Sequence, residues 1–97
     1  MKAPTLLSAN EISQKIKDLS NWEIVENHHL IGVFEFSDLA SSMHFAVKIG
    51  NLAEEMQHHP EIVIGTGVVE LTIFTHDSGG LTQLDFDFAK KVEDIFK

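Results

Sequence analysis

The sequence predicts an α+β domain: a single four-stranded antiparallel sheet with three helices on one face, in the order α-β-β-α-β-β-α. Three observations predict it. Apolar residues recur at helical spacing near both ends and in the middle of the chain. Each of these stretches follows a capping residue. Between them lie two stretches of alternating polarity, each broken by a turn. The chain has 97 residues, which suits one modest core, so residues 1–97 are read as a single domain.

The first helix opens within "LLSANEIS". Ser8 is its N-cap, and Glu11 stands at the capping-box spacing. Ile12, Ile16 and Leu19 then share a face. "WEIVENHHLIGVFEF" reads as a hairpin that turns near "ENHH". Trp22 and Ile24 share a face of its first strand; Leu30, Phe34 and Phe36 share a face of its second, opposite Ile31 and Val33.

The long helix follows, capped by Ser37 or Asp38. Leu39, Met43, Val47 and Gly50 form one row, and Phe45, Ile49, Leu52 and Met56 form another. Two rows give a wide apolar arc, suited to packing on the sheet and on a partner helix. Pro60 disfavours helical geometry at His59, so the helix is expected to end near Gln57 or His58. "EIVIGTGVVELTIFT" is a second hairpin turning at Gly65-Thr66-Gly67, and "HDSGG" is a loop. The last helix carries Thr82 and Asp85 at near-capping-box spacing, with Phe88, Val92 and Ile95 or Phe96 pointing inward. Apolar Ile31 and Val33 remain on the second sheet face, which makes self-association reasonable.

Seven basic against fifteen acidic side chains leave a net charge of −8. Phosphate backbones and anionic membrane surfaces repel such a chain, so neither nucleic acid nor membrane is expected as a partner. Cysteine is absent, which excludes disulfides, thiol catalysis and cysteine-ligated zinc. "MKAPTLLSANEIS" holds no apolar run of signal-peptide length, and no segment approaches the ~20 apolar residues of a membrane span. The cytoplasm is the default location.

Six histidines are many for this length. His44, amid apolar neighbours in the long helix, reads as packing or interface. His28 and His29 read as exposed turn residues. His58 and His59 differ, because the chain changes direction there and their rings should splay apart. Glu54 lies one helical turn before His58, where a carboxylate can fix an imidazole tautomer. His76 ends the last strand. If the hairpins share one sheet, His58, His59 and His76 converge at one edge, with Asp85 able to close the same cleft. Such a set admits a metal site or metal-free acid–base catalysis. Adjacent histidines lack the i, i+4 spacing of helical metal-ligand pairs. No serine sits beside a recognisable base, and neither phosphate-cradling glycine motif occurs.

Glu54, three residues, His58-His59-Pro60, fifteen residues to His76 and eight to Asp85 form a pattern that resembles the pterin-4a-carbinolamine dehydratases. The "NWE" at Trp22, the "LA" before Glu54, and the Thr75-His76 pair with its following Gly-Leu extend the likeness over nearly the whole chain. The resemblance implies dehydration of 4a-hydroxytetrahydropterin to quinonoid dihydropterin, without metal or organic cofactor, in a homodimer or homotetramer. By position it implies His58, His59 and His76 as catalytic, and Glu54, Trp22, Asp85, Pro60 and Thr75 as supporting or substrate-lining. It suggests His59 and His76 as the acid–base pair and His58 as an orienting donor. Where the family often carries aromatics after the proline, this chain has Ile62, Val63 and Thr66. Leu84 replaces a basic residue, and Gln57 replaces a frequent Asp. Some relatives act as protein-binding scaffolds, a coactivator or an assembly factor, which is the alternative role.

Overall fold

A computed structural model of the chain describes residues 3–97. Met1 and Lys2, which begin the stretch read for a signal peptide, lie outside the described residues. Helix α1 (Ala9–Lys15) begins at the expected capping box: Ser8 Oγ accepts from Glu11 N at 3.1 Å, and Glu11 Oε1 accepts from Ser8 N at 2.9 Å. A 3-10 turn over Ile16–Asp18 follows it.

Strands β1 (Trp22–Val25) and β2 (His29–Glu35) form the first hairpin. Glu26 and Asn27 both adopt a φ of 53°, and His28 N donates to Val25 O at 2.9 Å. Two consecutive positive φ values match the twist of the flanking strands. Helix α2 (Leu39–Met56) is capped by Asp38, whose Oδ1 accepts from Ser41 N at 2.8 Å. The two apolar rows of α2 part company. Phe45, Ile49 and Leu52 are buried, while Leu39, Met43 and Val47 are exposed.

The end of α2 positions everything that follows. Gln57 takes a left-handed conformation (φ 51°, ψ 43°) and its N–H reaches back to Ala53 O and Glu54 O. Pro60 then keeps the chain extended into β3 (Glu61–Gly65). The turn to β4 (Val68–Ile73) uses only Thr66 and Gly67, because Gly65 already pairs with Val68. Leu30 pairs with Ile73, which joins the hairpins into one antiparallel sheet of order β1-β2-β4-β3. The expected loop "HDSGG" contains a 3-10 turn over His76–Ser78. Helix α3 (Gln83–Phe96) closes the fold.

The predicted order is therefore observed. The core lies between the sheet residues Leu30, Phe34, Val69 and Leu71 and the helix residues Ile49, Phe88 and Val92. On the other sheet face Val33 and Val63 remain exposed. Among the described residues no helix is long and apolar enough to cross a membrane.

Candidate active site

Three elements meet at the β3–β4 edge. The end of α2 brings Glu54 and the His58-His59 pair, the segment after β4 brings Thr75 and His76, and the first turn of α3 brings Asp85. A cleft of ≈ 300 Å³ runs between them, lined by Gln57, His58, His59, Thr75 and His76 together with Leu84, Pro4 and Asp77. All three predicted histidines face this one space.

His58 is the inner histidine. It is 8 % exposed, and its Nε2 lies 2.6 Å from Asp85 Oδ1. Asp85 is 0 % exposed and lies in the first turn of α3, where the helix dipole favours an anion. Its other oxygen accepts from Thr82 N at 2.8 Å and from Thr75 Oγ1 at 2.9 Å. Since the Thr75 hydroxyl spends its proton on Asp85, Thr82 Oγ1 must donate across the 2.7 Å contact between the two threonines. When neutral, a His58 ring that donates Nε2–H to Asp85 keeps Nδ1 as an acceptor.

His59 is the outer histidine. Its Nε2 is hydrogen-bonded to Glu54 Oε2, and the two side chains are 56 % and 72 % exposed. Four-residue spacing predicts that Glu54 serves His58; the structure pairs it with His59 instead. The reason is local. Gln57 leaves the helix in a left-handed turn, so His58 swings inward and His59 returns over the last turn of α2. The two rings take different partners, and each has its own carboxylate.

His76 is presented by a tight turn. Thr75 N donates to Gly80 O at 2.9 Å, and Gly79 N donates to Thr75 O at 2.9 Å, with Gly79 at φ 73°. That positive φ is the conformation glycine takes without strain. The N-terminal segment ties this turn down: Leu7 N donates to Leu81 O at 2.9 Å, and Ser78 Oγ donates to Pro4 O.

Other predicted positions lie elsewhere. Trp22 is in β1, at the opposite edge of the sheet from β3, and it is buried against Phe34 with ring centroids 5.8 Å apart. Within this chain it does not line the cleft; it anchors the core. Pro60 acts through the backbone and is not a wall residue. Ile62 and Val63 also stand off the cleft, so their departure from the family pattern leaves this chain's own cleft wall unchanged, whereas Gln57 and Leu84 are part of it. Sequence reasoning missed Pro4 and Thr82. Thr82 carried a signal, because a capping box that ends in Asp85 also aims the Thr82 N–H at that carboxylate.

A larger hollow of ≈ 460 Å³ lies beside His44 and Lys48, floored by Phe45 and Phe96. It contains none of the three converging histidines, and no carboxylate lines it. Among the described residues no group of three or more His, Asp or Glu side chains is arranged to hold a metal ion.

Comparison with known proteins gives a consistent result. Residues 5–95 match the family model described as pterin 4 alpha carbinolamine dehydratase. A protein of Rubrobacter xylanophilus, named provisionally as a pterin-4-alpha-carbinolamine dehydratase, is 42 % identical over 87 residues, covering 90 % of this chain and 81 % of the relative. A Metallosphaera sedula protein with the same provisional name is 37 % identical over 91 residues, covering 94 % of both chains. The crystal structure of a transcriptional coactivator/pterin dehydratase from Brucella melitensis superposes with a TM-score of 0.89 at 28 % identity, covering 96 % of this chain and 100 % of the other. A pterin dehydratase-like protein identified as a RuBisCO assembly factor in the alpha-carboxysome has a TM-score of 0.65 at 27 % identity, covering 77 % and 88 %.

Proposed function

The chain belongs to the pterin 4 alpha carbinolamine dehydratase family, and from that premise we propose that it dehydrates a 4a-hydroxytetrahydropterin to the quinonoid dihydropterin. One observation carries the reading: His58, His59 and His76 face a single cleft, and His58 and His59 have separate carboxylate partners. The reaction breaks the C4a–O bond and the N5–H bond and forms the C4a=N5 double bond. A proton goes to the departing hydroxyl, another leaves the ring nitrogen, and the net product is water; no electrons are exchanged. Imidazoles exchange protons near neutral pH, so two of them in opposite protonation states suffice.

Within this reading His59 and His76, both at the accessible side of the cleft, form the acid–base pair. His58, locked by buried Asp85, orients the substrate. No metal or organic cofactor takes part. Self-association through the exposed Leu39, Met43 and Val47 row of α2 belongs to the same proposal. The cytoplasm is the proposed compartment, a reading supported by the lack of cysteine.

The test is to add purified protein to enzymatically generated 4a-hydroxytetrahydropterin and follow the absorbance change of dehydration. His59→Ala and His76→Ala should each lose most of the acceleration, and His44→Ala should keep it, with or without a chelator. A rate no faster than buffer overturns the reading. It would favour the second one, a non-catalytic protein-binding scaffold, which the unpartnered apolar row of α2 also supports.

A further inference from the structure

His76 is exposed at the start of a 3-10 turn, and among the described residues no hydrogen bond to its ring defines its rotamer. An aromatic neighbour does. Past the end of β4 the backbone at Thr75 is still extended (φ −95°, ψ 103°), so Phe74 and His76 project to the same side while Thr75 points to the buried network. The Phe74 and His76 ring centroids lie 4.1 Å apart with planes inclined at 36°. The same phenyl ring is covered again by His28, at 4.6 Å and 43°.

This column depends on the sheet register. Leu30 pairs with Ile73, so the tip of the β1–β2 hairpin lies beside residues 74–75. The left-handed Glu26-Asn27 turn directs His28 back toward that point. His28 is itself held by His29, with the two Nδ1 atoms 3.1 Å apart, so that one ring donates and the other accepts. Phe74 also packs against the core cluster, which leaves it little room to swing out.

We propose that Phe74, braced by His28, is a positioning residue for His76, and that the β1–β2 hairpin tip thereby belongs to the catalytic apparatus. The proposal rests on the reading of His76 as a proton-handling group. Stacking energies of aromatic pairs correspond to a rotamer bias of roughly two- to tenfold. Losing the stack should therefore lower kcat by a comparable factor while KM for the pterin stays within about twofold.

The experiment has two arms on the full chain. Proton NMR of the free protein reads the His76 ring resonances, assigned by their loss in His76→Gln. A ring lying on Phe74 is shifted upfield; Phe74→Leu and His28→Ala should move it toward the position of a free imidazole, and Phe74→Tyr and His28→Phe should restore it. In the dehydration assay kcat should fall roughly two- to tenfold in Phe74→Leu and recover in Phe74→Tyr. An unshifted His76 resonance in the wild type, or no change in a folded Phe74→Leu, overturns the stack. A lost shift with unchanged kcat overturns the positioning role. An inactive wild type overturns the proposed function and the positioning role with it, while the NMR arm still decides the stack.

Discussion

Asp85 and His58 meet at 2.6 Å across 27 residues of sequence, and the carboxylate is wholly buried. Three groups converge on it, His58 and Thr75 from two further elements and the Thr82 N–H from the cap of its own helix, so Asp85 is both the anchor of one histidine and the joint between the β4 exit and α3. Asp85→Ala should destabilise the protein by about 3–5 kcal/mol, because the donors around it stay buried without an acceptor. Urea unfolding measures this. A loss below about 1 kcal/mol would mean that solvent reaches the network freely.

Glu54 pairs with His59 in the open, which predicts the opposite balance. Glu54→Gln should change stability by less than about 0.5 kcal/mol. If Glu54 fixes the His59 tautomer, the same substitution should lower kcat by roughly tenfold or more. Parallel urea and dehydration measurements separate the two effects; unchanged kcat would remove Glu54 from the site.

Gly32 faces Trp22 across the β1–β2 pair, and a Cβ added there would lie 2.8 Å from three atoms of the indole. The indole is buried and packs edge-on against Phe34, so it yields only by disturbing the core. Gly32→Ala should therefore cost about 1–3 kcal/mol in urea unfolding. The cleft is at the other side of the sheet, so the folded fraction should keep the kcat of the wild type. A large fall in kcat per folded molecule would place Trp22 back in the site.

Acid should weaken the start of α2. The backbone N–H of Ser41 bonds to Asp38 and holds its carboxyl below the usual range, with further side-chain hydrogen bonding in the same direction. A group whose pKa is lower folded than unfolded stabilises at neutral pH, and that contribution is lost as pH falls through the acid carboxylate range. Asparagine caps equally well without titrating. Between neutral pH and about pH 3 the wild type should thus lose more stability than Asp38→Asn. Equal losses in denaturant unfolding at the two pH values would refute the assignment.

Much of the fold was legible because its signals are local. The Ser8–Glu11 and Thr82–Asp85 boxes, the two alternating hairpins and the break before Pro60 each act within about four residues, a range over which backbone hydrogen bonding and sterics are settled by neighbours alone. The convergence of His58, His59 and His76 on one edge also followed once both hairpins were placed in one antiparallel sheet.

What only the tertiary structure decided is which partner each group takes. Spacing along a helix assigns Glu54 to His58, but the left-handed Gln57 turns the chain off the helix, so the pair becomes Glu54 with His59 and His58 is left to Asp85. Trp22 lies at the far sheet edge because strand order is set by the pairing of Leu30 with Ile73, which no spacing in β1 encodes. His28, an ordinary turn residue in sequence, reaches Phe74 through that same pairing. Local propensity determined the elements and their ends; contacts between residues tens of positions apart depend on how those elements pack together, and that packing chose the partners within the site.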